Sequence, residues 1–286
     1  MMNLLDNRNI TCVEYYLLNK LNPIIDIRKL YYKSYVSVYK IYLDLLDNDT
    51  TFYNYEGIER IQSILIENKM LTYKVTNEYK EEDFKNKTLV NLLLVNKNFF
   101  NNKRKVTFRN DHYIHVTKQN NKLMMISSYP MSIEEIDINT LNTFFDNKCL
   151  VYKITRKDNL TFKKVKEEFI KQLNKVKHLN LPEIYDLNRF QSLIQLLKIT
   201  RLRLFDLCNY LIVSDSLLNL INEASKYYEN VFLKISMMII KNMIDSTILK
   251  EIIFKINRYE YEIYKKLKEE FVDEWLRYKN KVNKVY

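Results

Sequence analysis

DHYIHVTKQNNKLMMIS, residues 111–127, consists of two short apolar runs separated by a polar step. In the first run, period-two alternation puts His112, Ile114 and Val116 on one face and Tyr113 and His115 on the other. NNK (120–122) suits a hairpin turn, so the stretch reads as two antiparallel strands. Working outward, LTYKV (71–75), LVNLLLV (89–95) and CLVYKIT (149–155) are similarly short and rich in β-branched and aromatic residues. IDINTLNTFF (136–145) suits a short helix ahead of the last strand.

The flanks carry a different period. TCVEYYLLNKL (11–21) predicts a helix with Thr11 as N-cap and Glu14 completing a capping box. Amphipathic spacing predicts two more helices, over 27–46 and 57–69. Helices followed by a mostly antiparallel sheet describe an α+β fold. From Thr161 onward the strand signal stops, and helices are expected over 161–177, 183–200, 203–213, 216–243 and 246–280, with Pro182 opening the second. Two domains are expected, 1–157 and 158–286, the second all-helical and a usual platform for homodimerisation.

With 286 residues and 47% apolar content, the chain can fill a substantial core. Three widely spaced cysteines suggest neither a disulfide framework nor a zinc site, and the three histidines have no ligand spacing; no metal is expected. One glycine cannot build a Walker or dinucleotide loop, so no nucleotide cofactor is expected. The sequence shows no secretory pattern and no apolar run long enough to span a bilayer, which predicts a cytoplasmic protein with no membrane partner. A net charge of +11 points to an anionic partner. Nucleic acid is not expected, since no zinc finger, RRM signature or phosphate loop is present. The lysines between Lys163 and Lys177 share a helix with Phe162, Val165, Phe169 and Leu173, and read as its solvated face.

Cys12 stands directly after the expected N-cap. The first-turn N–H groups and the helix dipole there favour thiolate over thiol, although most free cysteines are simply small buried residues. His112, at the start of a strand, is the candidate base, with His115 as competitor; an ordinary half-buried histidine fits His115 and His178.

The order of an early helix-starting Cys, LVNLLLVNKNFF, DHYIHV, a turn, KLMMIS with SYP, and a close at CLVYKI resembles the papain-like cysteine protease superfamily. Within it, the pattern is similar to the branch holding the butirosin biosynthesis acyltransferase N-terminal domain and the double-glycine peptidases, over roughly Thr11 to Ile154. The resemblance implies a papain-like domain with Cys12 as nucleophile and His112 as general base. Asn96 falls where a strand-ending Asp is common. Where an Asp usually orients the histidine, this chain has Ser127 and Ser128, and a serine does not stabilise imidazolium as a carboxylate does. Upstream of the cysteine, among Asp6, Asn7 and Asn9, Asn7 is the side chain suited to an oxyanion hole.

Near-absence of glycine argues against a groove for extended peptides. A cysteine-dependent acyltransferase is therefore expected, taking its acyl group from an acidic acyl or peptidyl carrier protein and passing it to a small-molecule amine or similar acceptor in peptide or secondary-metabolite biosynthesis. Phosphopantetheine would arrive on the carrier, and Lys103, Arg104 and Lys105 would steer it in. A papain-like peptidase and a non-catalytic interaction protein are the alternatives.

Overall fold

The computed structural model describes residues 11–47, 57–99, 112–128, 131–155, 158–184 and 186–273. Among these are a six-stranded antiparallel sheet and eight α-helices, so the chain is α+β. They divide into two compact units. The first comprises Met1–Asp26 and Ile61–Asn159, the second Ile27–Arg60 and Leu160–Tyr286. The expected division is 1–157 and 158–286; by contacts, the second boundary falls at 159/160 and residues 27–60 group with the helical unit. Their apolar side chains, Leu30, Tyr31, Val38 and Ile41, are buried.

The sheet unit begins with α1 (Cys12–Leu21), capped by Thr11, whose hydroxyl accepts the Glu14 N–H at 3.3 Å. One Glu14 carboxylate oxygen accepts the N–H of Ile61, the first residue of α3 (Ile61–Glu67), at 3.1 Å, so this side chain bridges two helix starts. The strands are β1 (Leu71–Thr76), β2 (Leu89–Val95), β3 (His112–Gln119), β4 (Lys122–Ser128), β5 (Met131–Glu135) and β6 (Phe145–Ile154). Their spatial order is β1-β6-β2-β3-β4-β5, every neighbouring pair antiparallel. β2 is almost wholly apolar because both sides of the sheet are covered. On one side α1 lies against β2, β3 and β4. On the other, Leu93, Val95, Ile114, Val116 and Met125 pack with Phe84 from a 3₁₀ turn (Glu81–Lys85) and Leu141 from the short helix α4 (Ile138–Phe144). The β3–β4 turn has Asn120 and Asn121 at φ 48° and 63°. Asparagine tolerates this left-handed region better than other non-glycine residues, and it supplies four of the six such positions among the described residues of a chain nearly without glycine.

The helical unit contains a 3₁₀ turn (Ile27–Tyr31), α2 (Val38–Asp47), α5 (Phe162–Lys175), α6 (Leu187–Leu211), α7 (Asp215–Lys241), α8 (Ser246–Lys268) and a π-helical turn (Glu269–Asp273). Two expectations fail here. The helices expected over 183–200 and 203–213 are one helix, α6, and Pro182 lies ahead of its start, which Asp186 caps. Thr200, Arg201 and Arg203 read as a polar break in the sequence, yet all three are fully buried within the helix. α5 does present its lysines outward while Val165, Phe169 and Leu173 are buried.

Candidate functional site

Cys12 is the first residue of α1 and Tyr113 the second of β3, and they meet: the backbone amides of Tyr113, Val13 and Cys12 itself are aimed at the thiol. These donors favour thiolate. Burial outweighs them, and together with the neighbouring Glu14 carboxylate it holds the Cys12 thiol above its ordinary range. At neutral pH the sulfur is therefore a thiol, not the thiolate that the helix terminus alone would suggest.

His112 precedes Tyr113 and pairs across β2 with Val95. Burial pushes its imidazole down to about 4, so at neutral pH the ring is uncharged and able to accept a proton. Its Nε2 lies 3.4 Å from the Ser128 hydroxyl. With Nε2 engaged there, base chemistry would fall to Nδ1. Ser127, one residue earlier, is fully buried and sits opposite Ser132 in the sheet, so Ser128 is the serine that reaches the histidine.

The hairpin is held apart at this end. Continuing the β3–β4 register from His115 opposite Ile126 would set Tyr113 opposite Ser128. Instead the Tyr16 hydroxyl sits between them, 3.2 Å from Tyr113 O, 3.0 Å from Ile126 O and 3.0 Å from Ser128 N. Burial keeps the phenol far above its usual titration range, so it acts as a neutral donor and acceptor. Tyr16 lies one helical turn beyond Cys12, which joins α1 to Ser128, the strand residue that touches His112. The sequence reading missed Tyr16; its signal was the i, i+4 spacing from Cys12.

His115 shares the α1 side of the sheet, with its ring 5.9 Å from that of Tyr16 and Nδ1 3.0 Å from Asn91 O. It is therefore built into the packing further along the strand, also neutral, pushed down by burial to about 4. His178 belongs to the helical unit, between Tyr261 and Tyr264. Asn96 donates its backbone N–H to Phe144 O and uses its side chain to cap Asn98, which makes it a turn residue. Cys149 and Cys208 are buried, and burial raises both thiols, Cys149 to about 11. Asn7, Lys103, Arg104 and Lys105 lie outside the described residues. No group of His, Cys, Asp and Glu suited to a metal occurs among the described residues, and no helix among them is long and apolar enough to cross a membrane.

The helical unit holds a second polar cluster that sequence reasoning did not single out. Arg201 of α6 donates from Nε to Glu260 of α8 at 2.9 Å and from Nη2 to the second carboxylate oxygen, and also to Val36 O at 3.0 Å. Tyr228 of α7 donates to the same carboxylate at 2.7 Å, and the Tyr35 ring lies 4.8 Å from the guanidinium carbon. Burial opposes the charge on Arg201, but Glu260 overcomes it and keeps the guanidinium firmly protonated. The sequence signal was phase: Arg201 falls in register with Leu197 and Leu204, and Glu260 with Ile256 and Ile263, positions that an amphipathic helix reserves for the core.

No model of a known protein family matches the chain, and comparison with curated proteins gives no significant relative.

Proposed function

We propose that the sheet unit carries out cysteine-dependent acyl transfer, with Cys12 as nucleophile, His112 as base and Ser128 orienting the imidazole. The observation that carries this reading is the 3.4 Å approach of Ser128 Oγ to His112 Nε2 at the end of the hairpin where the Cys12 thiol rests against Tyr113. A neutral thiol and a neutral imidazole suit general-base activation at the moment of attack rather than a standing ion pair. The step requires the His112 ring, which strand alternation sets on the Ile114 side of the sheet, to turn around the strand end toward Cys12 on the Tyr113 side. In the first half-reaction the Cys12 proton passes to His112 as sulfur bonds to the carbonyl carbon of a thioester. Collapse of the tetrahedral intermediate breaks the donor's C–S bond, and the departing thiolate takes the proton back. An amine then attacks the acyl-cysteine, His112 accepts its proton, and Cys12 leaves and is reprotonated. The papain-like resemblance, an acidic carrier protein as donor and a basic docking segment at Lys103, Arg104 and Lys105 belong to this same proposal.

The test is intact-mass detection of an acyl adduct after exposure to acyl-loaded carrier protein or a small acyl thioester. An adduct on the native chain that disappears in Cys12→Ala and slows in His112→Ala supports the reading. Adducts formed equally by the Cys12→Ala variant sink it.

A second reading, a degenerate site in an interaction protein, is favoured by the burial that raises the thiol and by a serine where a carboxylate would stabilise imidazolium. Alkylation separates the two. A competent general-base pair leaves Cys12 open to iodoacetamide, with a rate that climbs as pH rises above 8, whereas a sealed core cysteine stays unmodified in the folded chain.

A further inference from the structure

α7 and α8 are joined by a turn at which the chain exposes what it buries elsewhere. Every residue from Ile240 to Ile248 is exposed. Leu233, Met237 and Ile240 recur at i, i+4 and i+7, forming one stripe on α7, with Ile240 82% exposed; Met243 and Ile244 continue it through the turn at 64% and 61%. Ile248, in the first turn of α8, adds to it. Single exposed apolar side chains need no explanation, but a contiguous run of this kind marks a surface that something covers.

The charges beside the stripe identify the partner. Lys234, Lys241 and Lys250 are exposed within the same stretch, Lys250 pairing at 3.2 Å with Glu183. Its single acidic residue, Asp245, is occupied as the N-cap of α8, accepting from Thr247 N and Ile248 N at 3.0 Å each. Isologous pairing of two such tips would gather Lys234 and Lys241 of both copies into one interface, a concentration of like charge. An anionic surface that accepts apolar side chains meets both features at once. We propose that the α7–α8 tip docks peripherally on anionic phospholipid, with Ile240, Met243 and Ile244 entering the headgroup–acyl boundary and the lysines resting on the phosphates. This is attachment to one leaflet without a spanning segment, and it is independent of any chemistry at Cys12.

The full chain is sedimented with vesicles of phosphatidylcholine alone and of phosphatidylcholine mixed with phosphatidylserine. Binding to the mixed vesicles is expected, weakened on the order of tenfold or more by Ile240→Asp with Ile244→Asp, and by a similar factor by Lys234→Glu with Lys241→Glu. All four side chains are exposed, and circular dichroism checks that the variants remain helical. Absence of binding to the mixed vesicles overturns the proposal, as does equal binding by the variants. So does a concentration-dependent dimer that the aspartate variant makes monomeric, which would give this surface to a second copy instead.

Discussion

The Tyr16 hydroxyl accepts the backbone N–H of Ser128 at 3.0 Å, on a helix whose first residue is Cys12 and from a strand whose last residue touches His112. This one hydroxyl also lies within hydrogen-bond range of the carbonyls of Tyr113 and Ile126, so it replaces strand pairing rather than supplementing it. Tyr16→Phe would leave a buried amide and two carbonyls short of a partner at the mouth of the hairpin. The expected cost is about 1–3 kcal/mol in denaturant unfolding, with slower thioester turnover. An unchanged denaturation midpoint would show that the strands close up and pair without the phenol.

Ser128→Asp supplies the carboxylate that the sequence lacks beside His112 Nε2. An anion at that position favours imidazolium, so the His112 pKa should rise from about 4 by roughly one to three units, toward or past its ordinary value. Imidazole proton resonances followed across pH report this directly, and acyl transfer should speed up about tenfold if His112 is the base. A histidine titration that does not move would place the new carboxylate elsewhere.

Much of the architecture is legible in the sequence, because period-two and period-3.6 apolar patterns are imposed by burial itself. The strand runs at 71–75, 89–95, 111–118 and 122–127 each lie within two residues of an observed strand, and the Thr11 cap begins α1 as its hydroxyl chemistry requires. β5 escaped notice because MSIEE, at a sheet edge, needs only one apolar side chain per turn of the pleat and shows too little alternation. Residues 27–60 are amphipathic whichever unit they join, so periodicity says nothing about their partner. At the candidate site, residue types were legible and environment was not. A helix N-terminus predicts a lowered thiol, but burial raises it, and the burial comes from packing α1 against the sheet, which no local pattern encodes.

Burial also makes the sheet unit acid-sensitive. His112 and His115 are both pushed down to about 4 against an ordinary value of 6.5. Because the folded pKa is the lower one, the unfolded chain binds the protons first as pH falls. The stability is fully present above pH 6.5 and is lost progressively between pH 6.5 and 4. Each histidine contributes on the order of 3 kcal/mol to that loss at most. Urea midpoints at pH 7.5 and 4.5 measure it, and His115→Gln should flatten the difference. The same pH profile in that variant would assign the acid loss to other groups.

Glu260 gives the corresponding prediction for the helical unit. Its carboxylate receives Arg201 from α6 and Tyr228 from α7, so one side chain of α8 ties three helices together, and Arg201 in turn holds the Val36 carbonyl ahead of α2. Glu260→Gln keeps the size but leaves a guanidinium buried without its counter-charge, which should cost about 3–5 kcal/mol. Replacing both partners, Arg201→Met with Glu260→Leu, removes the two desolvation penalties together and should recover most of that loss, even though Val36 O and Tyr228 lose a partner. Calorimetric unfolding of the native chain, Arg201→Met, Glu260→Leu and the double variant forms the cycle. A double variant as unstable as the sum of the two single ones would mean that Arg201 and Glu260 stabilise the bundle separately and not as a pair.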